Sequence, residues 1–154
     1  MVPLDTTIFL ATGILIRDDA LLLVASRYAN QPQPLWNLPG GRQERGELLR
    51  ETVVREVFEE TGLRARAREF AYLSESYDGD VHVLNATFVI EAQGEPHAPS
   101  GGDHVTEVAW VPLPQVEQRI AVRVVREPLL AFLRGDLVAR YAGYLDAGIT
   151  IRWE

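Results

Sequence analysis

Apolar positions along the chain fall into runs of different period. Residues 7–16 (TIFLATGILI) and 20–26 (ALLLVAS) are continuous apolar runs with β-branched content, broken only by Arg17-Asp18-Asp19. That pattern predicts two strands joined as a hairpin. Residues 64–75 (RARAREFAYLSE) alternate in part and read as a strand, Tyr77-Asp78-Gly79-Asp80 as a turn, and 81–91 (VHVLNATFVIE) as its hairpin partner. Asp-Gly is a strong turn signal at that junction. Residues 105–111 (VTEVAWV) predict a further strand, 113–119 a short helix after Pro112, and 123–134 a longer helix with Val124, Val125, Leu129, Leu130, Phe132 and Leu133 apolar. The tail, 137–153, reads as a strand pair, LVARYAGYL and GITIRW, joined at Asp146-Ala147-Gly148. Residues 28–35 and 94–103 are polar and broken by Pro and Gly, hence surface loops.

One stretch differs in period. In 38–63 (LPGGRQERGELLRETVVREVFEETGL) a Gly pair after Pro39 opens a segment that closes at Gly62 as helices commonly do. At roughly 100° per residue, Leu49, Val53, Val54, Val57 and Phe58 share one broad arc, and Glu56, Glu59 and Glu60 point together to another side. Carboxylates at i, i+3 and i+4 are neighbours on a helix and repel unless a cation lies between them. Their oxygens are hard ligands suited to Mg²⁺, which borrows further ligands from substrate phosphates. The competing reading is a solvated acidic face in which Arg55 pairs with Glu51 or Glu59.

The strands outnumber the helices and cluster before and after the central helix, which favours an α+β layered domain over a βαβ repeat. Composition sets outer bounds. The 154 residues, 47% hydrophobic and 24% charged, suit one domain over residues 1–154 with a real core, the tail 137–154 forming a C-terminal β-hairpin. No run approaches the roughly 18 apolar residues of a membrane span. The apolar N-terminal stretch lacks a preceding basic region and a small-residue cleavage site, so no secretory leader is expected. With no Cys, disulfide and thiolate chemistry are excluded, and the cytoplasm is the default compartment. A net charge of −7 disfavours a nucleic-acid polymer as partner but not a small nucleotide. All 15 basic residues are Arg, which leaves Arg as the permanently cationic side chain for phosphate.

The full spacing narrows the chemistry. Gly41, five residues, Glu47, seven residues, then Arg55-Glu56-Val57-Phe58-Glu59-Glu60-Thr61-Gly62-Leu63 resembles the Nudix box, with no position departing from it. At roughly 5–7% usage per residue type, the seven identities coincide by chance on the order of once in 10⁸ starts. The chain thus resembles the Nudix hydrolases. The resemblance implies an α+β fold, an α/β/α sandwich with a mixed β-sheet between helices and the box as a loop-helix-loop.

The roles it implies carry over by position. Glu56, Glu59 and Glu60, with the carbonyl of Gly40, would hold Mg²⁺ (Mn²⁺ being the alternative), one of the glutamates also serving as general base. Arg55 would orient a glutamate by pairing with Glu47 or Glu56, and Arg55, Glu56 and Glu59 are the candidate catalytic residues. Glu47 would have a structural role near the helix start, where its charge suits the dipole. Arg27, directly after the second strand, would clamp a substrate phosphate. Tyr28, Trp36, Tyr77 and His104 complete the candidate substrate contacts, although Trp36 is better suited to the core than to stacking on a base. One departure is noted: where many family members carry an acidic pair before a Trp, this chain reads Asp103-His104-Val105-Thr106-Glu107-Val108-Ala109-Trp110, so the base would lie in the box, or His104 or Glu107 would substitute.

The expected activity is therefore an Mg²⁺-dependent pyrophosphohydrolase in which water attacks phosphorus and splits the diphosphate linkage of nucleoside di- or triphosphates or their derivatives. Two alternatives lie within the family. Tyr77 stands near where dinucleoside polyphosphate hydrolases keep a Tyr. An ADP-ribose hydrolase is the other, although the Pro those enzymes show at a similar distance is absent, Pro96 falling farther on. A nucleotide-sensing module without turnover is the non-enzymatic alternative, but such modules usually lose box carboxylates. The expected partner is a small nucleotide or nucleoside diphosphate derivative, with no nucleic-acid polymer and no membrane, and the apolar tail strands suit a homodimer.

Overall fold

The structure, a computed structural model, describes residues 6–100 and 104–151. Strands β1 (Thr6–Ile14), β5 (Gly40–Arg42), β6 (Arg66–Asp78), β7 (Val81–Glu91) and β9 (Tyr141–Tyr144) form one mixed sheet in the order β5-β1-β7-β6-β9. The second sheet is built on β3 (Ala20–Ser26). β8 (Val105–Pro112) runs along one edge of β3, while β2 (Ile16–Arg17) and β4 (Leu35–Asn37) pair with its two ends. Helix α1 (Leu49–Thr61) covers one side, and α2 (Val116–Arg119) and α3 (Arg123–Arg134) lie after β8.

β1 and β3 are apolar without alternation because both their faces are covered. Ala11, Leu15 and Leu22 pack with Val53 and Val57 of α1. Ile14, Leu21 and Leu23 pack with Tyr72, Leu129 and Ile120 on the opposite side. The layers are therefore α1, sheets, α3. None of the described helices is long and apolar enough to cross a membrane.

Three expectations are corrected. The first two apolar runs do not pair as one hairpin; only Ile16 and Arg17 fold back onto Leu21 and Ala20, through a turn whose Asp18 and Asp19 both have positive φ (52° and 61°). That is the two-residue turn that matches strand twist, and Asp tolerates it. β1 instead runs parallel to β7, from Thr6 opposite Val81 to Ile14 opposite Val89. In the second hairpin, Asp78 pairs with Val81, so the turn is Gly79-Asp80 and Tyr77 and Asp78 belong to β6. In the tail, Tyr141–Tyr144 adds as a parallel strand to β6, Leu73 opposite Tyr141, and not to its own continuation. Residues 145–151 carry no strand, and 152–154 lie outside the described residues. The helix over 123–134 stands as expected.

Candidate active site

Helix α1 is set by its ends. Glu51 accepts the Leu48 N–H at 2.8 Å, satisfying one donor of the first turn. Gly62 ends the helix at φ 75°, where its N–H reaches the Phe58 carbonyl. A side chain there would be strained and would also meet the His97 ring.

The three box glutamates do not share one environment. Glu59 is about half exposed and Glu56 is largely covered, while Glu60 is buried, 2% exposed. The wheel put Glu60 with the outward carboxylates; the β5 turn and His104 close over it instead. Phe58 moves the other way and lies on the surface, beneath the Arg64 guanidinium at 4.8 Å.

Arg55 holds the group together. Its Nε and Nη2 donate side-on to the two oxygens of Glu47 at 3.0 and 2.8 Å. Nη1 donates to Glu56 at 2.9 Å and to Glu59 at 3.2 Å, and Nη2 also reaches the Arg42 carbonyl at 2.9 Å. Glu51 is not among its partners; it caps the helix. The Arg55 guanidinium holds the Glu47 carboxyl down to about 2, and the hydrogen bonds to Glu47 raise Arg55 further above its already high value. Glu47 also accepts from the Glu44 N–H and the Thr52 hydroxyl, so it fastens the loop to the helix.

Gly41 is required by contact. A Cβ there would lie 2.5 Å from the Glu56 carboxyl carbon, so the carboxylate lies directly against the glycine backbone. Burial pushes Glu56 upward, against the pull of Arg55. Burial pushes Glu60 up to about 7, outweighing hydrogen bonds from His104 and from the Gly40 N–H. That N–H donates to Glu60 Oε1 at 2.8 Å, and His104 Nε2 lies 3.3 Å from Oε2. His104 reaches this position because its carbonyl accepts the Arg27 N–H at 2.8 Å.

These groups open into a cavity of about 370 Å³, whose walls include Arg27, Arg42, Gly40, Glu56, Glu60 and His104. Tyr28 also lines it, and burial, then the Glu60 charge, raises its hydroxyl pKa. The Arg27 and Arg42 guanidinia make no ion pair among the described residues. A second, smaller cavity of about 60 Å³ shares Leu10, Tyr28 and Asn37 with the first.

The expected substrate contacts divide accordingly. Arg27, Tyr28 and His104 line the first cavity. Trp36 does not; it packs against the main core under the Arg119 guanidinium and borders the second cavity. Tyr77 lines neither, lying on the outer face of the sheet stacked on His82, with ring centroids 4.4 Å apart. Asp103 falls outside the described residues. Arg42, Asn85 and Asp78 were not singled out by sequence; the adjacency of Arg42 to Gly41 was the signal available for the first, and nothing local marked the other two.

Among the described residues no three carboxylate or imidazole side chains converge as a ready shell, because Arg55 draws Glu56 and Glu59 to itself. The donors nevertheless suit a hard cation: carboxylate oxygens with a buried glutamate whose charge burial disfavours and a cation would restore.

Residues 7–133 match the NUDIX domain, and the chain belongs to that family. Such proteins generally use a divalent metal. The chain is similar to an ADP-ribose pyrophosphatase of Methanocaldococcus jannaschii, 37% identical over 84 residues, covering 53% of this chain and 49% of that protein. It is also similar to a MutT-like protein of Streptomyces ambofaciens, 33% identical over 114 residues, covering 71% and 66%. The chain thus spans about half the length of the first relative and about two thirds of the second. Among solved structures, the MutT protein of Methanosarcina mazei Go1 superposes with a TM-score of 0.73 at 21% identity, covering 86% of this chain and 96% of that one. The solution structure of the E. coli ORF135 protein gives 0.71 at 24%, covering 88% and 94%. These show the fold: an α+β Nudix domain with mixed sheets and three helices.

Proposed function

We propose that the protein is an Mg²⁺-dependent pyrophosphohydrolase that cleaves the diphosphate linkage of nucleoside di- or triphosphates or their derivatives. The observation that carries this reading is the single cavity lined by Arg27 and Arg42, neither in an ion pair among the described residues, together with the box carboxylates Glu56 and Glu60. Glu56, Glu60 and the Gly40 carbonyl, with Glu59 beside them, would hold the cation, which supplies charge neutralisation at phosphoryl oxygens and a bound water of lowered pKa. Arg27 and Arg42 bind phosphoryl oxygens of the substrate. Arg55 orients Glu56 and Glu59. A water oxygen bonds to phosphorus, the bridging P–O bond breaks, and two phosphate-bearing products leave.

The second cavity suits the moiety X carried by the diphosphate. Its wall is largely apolar and includes Trp36, but the Ser74 and Ser76 hydroxyls and the Asn85 amide nitrogen face no hydrogen-bond partner among the described residues. Such a lining fits a planar heterocycle with polar edges. The dinucleoside polyphosphate alternative rested on Tyr77, whose place outside both cavities weakens it.

The test is phosphate release with Mg²⁺ and an added pyrophosphatase or phosphatase, across nucleoside triphosphates, ADP-ribose, diadenosine polyphosphates and nucleotide sugars. Glu59→Gln and Glu60→Gln are run beside the wild type. Turnover of one class that both variants lose by about a hundredfold or more is expected. Full activity in both would refute the reading.

A further inference from the structure

We propose that residues 146–151 form a strap over the second cavity, opening to admit the heterocyclic moiety X of the substrate and closing to retain it. The chemistry of X rests on the pyrophosphohydrolase reading; the strap itself rests on the geometry of the tail.

Ala147, Ile149 and Ile151 form part of the cavity wall, together with strand residues such as Ser74, Ser76 and Val83. The two parts of that wall are fastened very differently. β6 and β7 are tied to each other by a ladder running from Arg66 opposite Glu91 to Asp78 opposite Val81. Residues 146–151 carry no strand and make no such ladder. Ala147 is buried, and its N–H donates to the Tyr77 carbonyl at 2.8 Å. Asp146 is held by its carbonyl, which accepts from Arg123 Nη2 at 2.9 Å, and beyond Ala147 the fixings among the described residues are isolated hydrogen bonds to side chains. The Ile151 N–H donates to Asp78 Oδ2 at 2.9 Å, and the Thr150 carbonyl accepts from Asn30 Nδ2 at 2.5 Å and from Gln31 Nε2 at 3.0 Å. Local opening follows such weakly held segments.

The cavity under the strap measures about 60 Å³, well below the roughly 300–1,000 Å³ of small-molecule sites. A ring system therefore requires a wall to yield, and the tail is a wall that can yield without breaking a sheet. The hydroxyls of Ser74 and Ser76, 8% and 7% exposed and without partners among the described residues, wait beneath it. The matched family region ends at residue 133, so this part of the wall lies outside it. The latch residues Asn30 and Gln31 follow Arg27, Tyr28 and Ala29, which line the first cavity. One loop thus joins the phosphate site to the strap.

Two measurements test the strap. Hydrogen exchange on the full chain is expected to show residues 146–151 exchanging at least about tenfold faster than β6 in the free protein. It is expected to show the same residues slowed about tenfold or more by a nucleoside triphosphate. The latch variant Asn30→Ala with Gln31→Ala is expected to raise KM for the nucleotide about fivefold or more with kcat within about twofold, and to leave turnover of inorganic tripolyphosphate, which has no X, unchanged. A tail that exchanges as slowly as β6, or that no nucleotide protects, overturns the strap. So does an equal change in KM for both substrates. Wild-type inactivity on every phosphoanhydride would overturn the hydrolase reading instead, and the exchange experiment would still decide the strap.

Discussion

Replacing Arg55 by Ala tests the idea that one guanidinium organises the box. Its side chain is 23% exposed, and the carboxylates of Glu47 and Glu56 are 15% and 13% exposed. Hydrogen bonds to charged groups contribute about 1.5–3 kcal/mol each, and breaking a buried pair costs about 3–5 kcal/mol. Partial exposure brings the sum below those limits, to about 2–4 kcal/mol. For a chain of this size each kcal/mol lowers Tm by about 2–4 °C, so a fall of roughly 5–15 °C is expected at pH 7. The sign with pH is fixed by Glu47. Its carboxyl is held at about 2 against an ordinary value of 4.5, so the pair's contribution is complete above about 4.5 and lost as the pH falls toward 2. The gap between wild type and Arg55→Ala should therefore narrow below pH 4.5. Thermal unfolding followed by circular dichroism at pH 7, 4 and 2.5 measures it. A Tm at pH 7 within about 2 °C of wild type, or a gap that does not depend on pH, would refute the reasoning.

Glu60, held near 7 by burial, keeps a proton in the fold that the unfolded chain has lost above 4.5. Metal-free stability should thus decline as pH rises from about 4.5 to 7, and Glu60→Gln should abolish that slope in melting curves. For the same reason Mg²⁺ or Mn²⁺ affinity in calorimetric titrations should be higher at pH 8 than at pH 6, with protons released; affinity independent of pH would count against Glu60 as a ligand. Gly41→Ala places a methyl against the Glu56 carboxyl, the movable end of a side chain, so turnover should fall by about tenfold or more while Tm changes little; a parallel collapse of both would point to backbone damage. Arg27→Ala should raise KM for nucleotide about tenfold with little effect on Tm, and an unchanged KM would remove Arg27 from the phosphate site.

The sequence by itself determined what depends on neighbours in the chain. The box helix between the Gly pair and Gly62, the helix over Arg123–Arg134 and the strands ending in the β6–β7 hairpin all follow from local period, capping and spacing, while a pairing of Arg55 with Glu47 or Glu56 was implied by the family resemblance and the structure shows both. The cluster Glu56, Glu59 and Glu60 was legible as residue types at fixed intervals. Only the tertiary structure decided their environments, because burial depends on what packs over a helix from elsewhere. β5 and the residue at 104 close over Glu60, while Phe58 stays on the surface under the Arg64 guanidinium. β1 left its expected partner because a strand apolar on both faces fits any covered position, and its register with β7 is a contact between residues far apart in sequence. The tail went to β6 and the rim of the second cavity for the same reason: edge pairing and side-chain latches from Asn30, Gln31 and Asp78 form in space and leave no local periodic trace.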